Sequence, residues 1–309
     1  MEEIIAPIDR EILKSELTPD KFLRDTNKGN NQVYLITAKN SPNLMMEIGR
    51  LRELSFRTSG GGSGKSYDLD EFDAMDEPYQ QLFVWDPDAE QILGGYRFIH
   101  GSHVKLREDG QPHLVTAEMY HFTPKFVKEY LPHTMELGRS FVQPDYQSSK
   151  MGSKSLFALD NLWDGLGALI VKIPDTQYFF GKVTVYPHYN SQARDLLFGF
   201  INKHFPDKDN LVYPIDPFKI SITKQQIDDI FTSPDYDENY KILKKEVRNL
   251  GTNIPPLVNA YMSLSPCMRS FGFGVYHDFG ELIECCILVP IEEMHDEKKQ
   301  RHIETFLNI

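Results

Sequence analysis

Two apolar runs, Gln81-Leu82-Phe83-Val84-Trp85 and Ile92-Leu93-Gly94-Gly95-Tyr96-Arg97-Phe98, stand on either side of Asp86-Pro87-Asp88-Ala89-Glu90. The flanking runs have strand composition and the connector has turn chemistry, so the chain should reverse here as an antiparallel hairpin. Strand and helix patterns alternate around it. Residues 33–37 are β-branched and aromatic enough for a strand. Ser41-Pro42 places an N-cap before a proline at the first helical position, and Leu44, Ile48, Leu51 and Ser55 recur on one face of the helix that follows. Residues 135–142 and 178–185 read as strands, 153–172 as a long helix, and Asn190-Ser191 as the cap of a helix running towards His204. A strand pattern returns at 282–291.

Residues 206–250 differ in character. Between 227 and 240 they carry Asp228, Asp229, Asp235, Asp237 and Glu238 with no Lys or Arg, as a solvated helical insertion would. The expected organisation is one mixed α/β domain over 1–309 with a helical insertion at 206–250.

Charge and composition exclude several classes. Against 33 Lys plus Arg stand 45 Asp plus Glu, a net −12, which disfavours nucleic acid as a partner. With 40% hydrophobic and 25% charged residues, the chain is neither disordered nor a coiled coil. Cys267, Cys285 and Cys286 make no disulfide framework and suggest a reducing compartment. Met1-Glu2-Glu3-Ile4-Ile5 lacks a basic-then-apolar leader pattern, and the apolar run 285–289 is too short to span a bilayer. The expectation is a cytoplasmic protein whose work on membranes, if any, is peripheral, on the inner membrane face.

Some familiar motifs fail on inspection. Ser59-Gly60-Gly61-Gly62-Ser63-Gly64-Lys65-Ser66 imitates a phosphate loop, but Ser59 occupies the first glycine position and a helix precedes the loop, where a strand is required. It reads as a flexible connector. His100, His103, His113, His121 and His133 match no metal-ligand spacing, and there is no Gly-x-Ser-x-Gly elbow.

Charged residues planted in apolar elements are more informative. They are Arg52, four residues before Phe56; Asp70 and Asp73; Arg97 in the hairpin; and Glu136 with Arg139 in a strand-like run. Each alone reads as a surface charge or an ion pair. In a regular strand Glu136 and Arg139 face opposite sides, so both can serve one cleft only if a bulge re-aims the chain.

In this order and context, Arg52 with Phe56, Asp70-x-x-Asp73, Arg97 and Glu136-x-x-Arg139 resemble the signature of acyl-homoserine lactone synthases. They also resemble the amino-acid N-acyltransferases that begin ornithine and glycine lipid synthesis, a haemolysin-like branch of the GNAT superfamily. Glu136-Leu137-Gly138-Arg139-Ser140-Phe141-Val142-Gln143-Pro144-Asp145-Tyr146-Gln147 and Ile254-Pro255-Pro256-Leu257 are especially similar to the lipid-forming branch. The resemblance implies a mostly antiparallel central sheet flanked by helices, and a splayed strand pair that admits a pantetheine arm. It also implies Glu136 as general base and Arg139 as its catalytic neighbour. Arg52, Phe56, Asp70, Asp73 and Arg97 fall on the acceptor side, where Arg97 and Arg139 are forks for an amino-acid carboxylate.

The superfamily's pyrophosphate loop, Gln/Arg-x-x-Gly-x-Gly/Ala, is matched here by Gln147-Ser148-Ser149-Lys150-Met151-Gly152. The final glycine is kept and Lys150 replaces the first. Gln147, Lys150, Gly152 and Lys154 are therefore the donor-binding candidates, with Arg139, Lys150 and Lys154 as the nearby cations. The implied donor is acyl-phosphopantetheine on acyl carrier protein, or else acyl-CoA, with no permanently bound cofactor. Leu156, Phe157, Trp163, Leu166 and Leu169 would line either an acyl tunnel or a plain core face. The implied reaction moves a long-chain (3-hydroxy)acyl group to the amine of glycine or ornithine. The alternatives are an acyl-homoserine lactone synthase using S-adenosylmethionine, and a non-catalytic lipid-binding protein.

Overall fold

The computed structural model describes residues 1–147 and 151–307. Lys150, one of the donor candidates, lies outside them. The first half of the chain forms α1 (Arg10–Glu16), β1 (Phe22–Asp25), β2 (Gln32–Ile36), α2 (Pro42–Thr58), α3 (Glu71–Ala74), β3 (Gln80–Asp86), β4 (Gln91–His100), β5 (Tyr120–Phe122) and β6 (Thr134–Val142). There follow α4 (Ser153–Lys172), β7 (Tyr178–Val185), α5 (Ser191–His204), β8 (Val212–Pro214), α6 (Lys224–Ile230), α7 (Tyr236–Asn249), α8 (Pro256–Met262), β9 (Arg269–Tyr276) and β10 (Leu282–Pro290). These elements gather into two compact units. One contains Met1–Val104, Pro132–Gln177 and the segment from His295 onward; the other contains Lys105–Leu131 and Tyr178–Met294.

In the first unit β1, β2, β3, β4 and β6 pair antiparallel in that order. The hairpin expected from the sequence is β3–β4, with Gln81 opposite Arg97 and Leu82 opposite Tyr96. Alternation along a strand places Gln81 and Arg97 on one face and Leu82 and Tyr96 on the other. Gly165 brings α4 close to the sheet: a Cβ there would lie 2.9 Å from both Leu82 methyls and 3.0 Å from Val33 Cγ1. Trp163, Leu166 and Leu169 are core, whereas Leu156 in the first turn is 80% exposed and lines no tunnel wall with them.

Two local readings are corrected. Ser41 stands at the N-cap of α2 with Pro42 after it, but its hydroxyl caps nothing. Glu16 at the end of α1 does so instead, accepting from Leu44 N at 2.8 Å and Asn43 N at 3.1 Å, a carboxylate at the positive end of a helix. The glycine-rich connector is likewise tied down. Buried Glu53 accepts from Ser63 N (3.0 Å), Ser63 Oγ (2.8 Å) and Gly64 N (2.8 Å), and holds Arg57 at 2.6 Å. The backbone amides that would cradle a phosphate are thus taken by the protein's own carboxylate.

The C-terminal segment crosses α4 at Gly167, where an added Cβ would meet His302 O at 2.0 Å. Beside this crossing, Asp164 accepts from Asn27 Nδ2 at 2.7 Å and Asn27 N at 2.8 Å, and lies 2.8 Å from His302 Nδ1.

In the second unit β7, β10 and β9 pair antiparallel in that order, and β5 pairs with β8. Residues 206–250 contribute β8, α6 and α7 to it. Phe198 of α5 stacks on Phe273 of β9 with ring centroids 3.8 Å apart. Cys285 and Cys286 are core residues of β10, and burial pushes the Cys285 thiol up to about 12, so it carries no thiolate near neutrality. Among the described residues no helix is long and apolar enough to cross a membrane.

Gly167→Ala should detach the C-terminal segment from α4, because the obstructing atom is backbone and cannot rotate away. A lowered melting temperature with faster proteolysis after residue 295 is the expected outcome; a wild-type digestion pattern would refute it.

Candidate active site

The first unit collects the planted charges on one face of its sheet. Arg52 on α2 and Arg97 on β4 are both fully buried, and Asp73 lies between them. Asp73 Oδ2 is 3.1 Å from Arg52 Nη1 and 3.2 Å from Arg97 Nη1. Asp70 caps α3 and accepts from Arg97 Nη1 through both oxygens, at 2.7 and 2.8 Å. A capping box makes this possible: Asp70 accepts from Phe72 N at 3.1 Å while Asp73 accepts from Asp70 N at 3.2 Å. The Asp70-x-x-Asp73 spacing therefore starts a one-turn helix and aims both carboxylates at the arginines. Phe56 is buried one helical turn beyond Arg52.

Arg139 joins this frame through a bulge. Gly95 pairs with Phe141 and Arg97 with Gly138, leaving two β6 residues, Arg139 and Ser140, opposite Tyr96 alone. Arg139 has φ +46°, in the left-handed region that costs a non-glycine residue about 1–2 kcal/mol. The turn of the chain brings its guanidinium to the same side as Arg97, where Nε is 2.9 Å from buried Asp68 Oδ2 and Nη2 is 3.5 Å from Asp70. Glu136 and Arg139, three apart in sequence, thus share one face as the bulge condition required.

Burial by itself raises the Asp73 pKa, but the Arg52 and Arg97 cations outweigh it and hold the carboxyl below its ordinary value. Burial alone would lower Arg97; Asp73, Asp70 and Asp68 reverse this and keep it firmly charged. Arg52 stays below the usual range because its desolvation is the largest influence on it. Arg97 Nη2 and Nε, two buried guanidinium nitrogens, have no hydrogen-bond partner among the described residues.

Three members of the site were not singled out from the sequence. Gln81 accepts from Arg52 Nη2 at 2.5 Å and donates to Asp73 Oδ1 at 3.0 Å. Asp68 pairs with Arg139. Tyr79 donates its hydroxyl to Glu136 Oε2, while its ring lies under the Arg97 guanidinium at 5.3 Å and meets Phe72 edge-on at 5.7 Å. Nothing local marks Gln81, Tyr79 or Asp68: Gln81 follows another glutamine, Gln80, at the polar start of its strand.

The donor candidates lie around the start of α4. Gly152 is its N-cap, with φ +59°, and no side chain caps the helix there among the described residues. Gln147 Nε2 donates to Val142 O at 2.5 Å. Lys154 is held by Asp86 and, at 2.9 Å, by Asp88, and Asp86 also accepts from Tyr146 at 2.6 Å. These bonds tie α4 to the β3–β4 turn. Among the described residues no cluster of three or more His, Cys, Asp or Glu side chains is placed to hold a metal ion.

Comparison with known proteins gives the family. The model of an acetyltransferase (GNAT) domain matches residues 51–155, the stretch that supplies Arg52 through Arg139. A glycine N(alpha)-acyltransferase of Phocaeicola vulgatus is 57% identical over 99% of this chain and 94% of its own length. One from Bacteroides thetaiotaomicron is 55% identical over 99% of this chain and 91% of its own. The chain belongs to their family. It is an acyltransferase with the mixed α/β, mostly antiparallel fold of that superfamily, and the non-catalytic reading falls away. Among solved structures, FeeM, an N-acyl amino acid synthase from uncultured soil microbes, aligns over 91% of this chain and all (100%) of its own with 9% identity and a TM-score of 0.37.

Asp73→Asn leaves two buried guanidinium groups without their shared anion and should cost about 3–5 kcal/mol. Because the folded-state pKa of Asp73 is depressed, its contribution is present above the ordinary carboxylate value of 3.8 and is lost as pH falls below it. Urea midpoints measured from pH 3 to 7 should therefore drop on the acid side in the wild type and vary less in the variant. Tyr79→Phe should lower kcat by about tenfold, the worth of one buried hydrogen bond to a charged group. The KM for the acyl donor should not change; an unaltered kcat would show that the Tyr79 bond does not position Glu136.

Proposed function

We propose that the enzyme transfers a long-chain (3-hydroxy)acyl group from acyl carrier protein to the amine of glycine, opening a route to aminolipids. The observation that carries this reading is the buried arginine–aspartate frame with Glu136 on the same sheet face. The names of its relatives at 57% and 55% identity make glycine the preferred acceptor over ornithine.

The frame residues suit such an acceptor. An amino acid brings a carboxylate, and Arg97 retains two guanidinium nitrogens, Nε and Nη2, that Asp70 and Asp73 do not use. Glu136, oriented by Tyr79, is the base that removes the amine proton as nitrogen attacks the thioester carbonyl. The carbon–sulfur bond then breaks and the carrier thiol leaves with a proton. No acyl-enzyme is needed, in keeping with the high pKa of Cys285. At the donor end, the uncapped N-terminus of α4 at Gly152 offers backbone N–H groups to the phosphate of a pantetheine arm. S-Adenosylmethionine chemistry is the less favoured reading, because both relatives carry the glycine acyltransferase name.

The test is release of free thiol from palmitoyl carrier protein on addition of glycine, with N-palmitoylglycine identified by mass spectrometry. Product should form with glycine and fail with S-adenosylmethionine. Glu136→Gln should lose at least about a hundredfold in kcat while keeping its circular dichroism spectrum. Wild-type turnover in that variant would remove Glu136 from the role of base.

A further inference from the structure

Glycine, the acceptor proposed above, differs from the other α-amino acids in carrying only hydrogen on its α-carbon. With its carboxylate on Arg97 and its amine at Glu136, that carbon lies between the two, and any side chain it bore would have to be housed there. Phe72 borders both ends of this span. Its ring centre lies 6.0 Å from the Arg97 guanidinium, and it meets the Tyr79 ring edge-on with centroids 5.7 Å apart. Tyr79 in turn donates its hydroxyl to Glu136 Oε2. One apolar side chain is thus packed against the carboxylate fork and against the residue that holds the base.

The chain on either side of Phe72 is locked, so the ring is a fixed wall. Phe72 stands in α3 between Asp70 and Asp73, whose carboxylates are bonded to Arg97 and, for Asp73, to Arg52 as well. Its own N–H donates to Asp70 Oδ1 at 3.1 Å, and its carbonyl accepts from Tyr79 N at 2.9 Å. Phe72, Tyr79, Arg97 and Glu136 are all buried. Surface remains at Asp70, whose side chain is 28% exposed, and at Arg139, at 13%. These two mark the side from which a small molecule can approach, and Phe72 backs the site behind them.

We infer that Phe72 is the residue that sets acceptor size, its ring filling the volume that a side chain on the acceptor's α-carbon would need. This deepens the reading given above and rests on its placing of Glu136 and Arg97. A wall can discriminate only if it does not yield, since a close-packed site passes the bulk of an extra methyl on to its neighbours. The two anchored carboxylates on α3 supply that stiffness. Discrimination by a single methyl group is worth about 10–200-fold in such a pocket.

The test measures kcat/KM for glycine, L-alanine and L-ornithine, with palmitoyl carrier protein and palmitoyl-CoA both tried as donor. The wild type should favour glycine over L-alanine by about tenfold or more. Phe72→Leu keeps an apolar side chain on α3 but gives up the far edge of the ring, and should cut that preference about tenfold. Phe72→Ala should cut it further and admit L-ornithine. A plain packing role would instead lower turnover with all three acceptors in proportion and leave the preference where it was, which would overturn the inference. A wild type that takes L-alanine or L-ornithine as readily as glycine would overturn the size filter and leave acyl transfer to amino acids standing. No turnover with any of the three acceptors and either donor would overturn both. Should Phe72→Ala lose the circular dichroism spectrum of the wild type, Phe72→Leu decides alone.

Discussion

Asp73 sits between two arginines that have no access to water, and the candidate site is built outward from that contact. Each guanidinium would be costly to bury alone, and a carboxylate shared between them offsets part of that cost, with further polar partners adding to it. Gln81 is such a partner for Arg52, and Asp70 for Arg97. The arrangement fixes the relation of α2, α3 and the β3–β4 hairpin, three elements whose apolar packing would tolerate some sliding. Charge is here a device for register more than for net stability.

The same frame explains a strained backbone. Arg139 occupies a conformation that glycine would adopt freely, and the bulge that requires it sits next to Glu136 on β6. Without the bulge, Arg139 would point away from Asp68 and Asp70 and leave their carboxylates undercompensated. The ionic contacts hold the bulge, and the bulge aims Arg139 into them, so neither is separable from the other. Tyr79 completes the set by bonding Glu136 on one side and lying against Arg97 on the other, which links the proposed base to the buried frame.

Elsewhere the fold uses internal carboxylates where motif reading expects a ligand or a local cap. Glu53 fills the glycine-rich loop, and Glu16 caps α2 from a preceding helix. In both cases the backbone amides are those the sequence suggested, but their partner lies at a distance along the chain that no pattern encodes. The N-terminus of α4 is the contrast, since no side chain caps it among the described residues.

Local signals were enough for the hairpin, α2, α4, β7 and α5: turn chemistry for the hairpin, an N-cap for α5, a cap and an apolar repeat for α2, and residue pattern for α4 and β7. Short elements with mixed composition, such as β1, β5 and β8, were missed because their strands are made by pairing partners, and pairing is non-local. For the site, the types and order of Arg52, Asp70, Asp73, Arg97, Glu136 and Arg139 were legible through resemblance. Their convergence was not, because it turns on which face each strand residue occupies and on one extra residue in β6. The linear chain thus determined which charges exist and which elements carry them. Tertiary structure decided which charges meet, since a buried ion pair forms only where folding removes water from both partners at once.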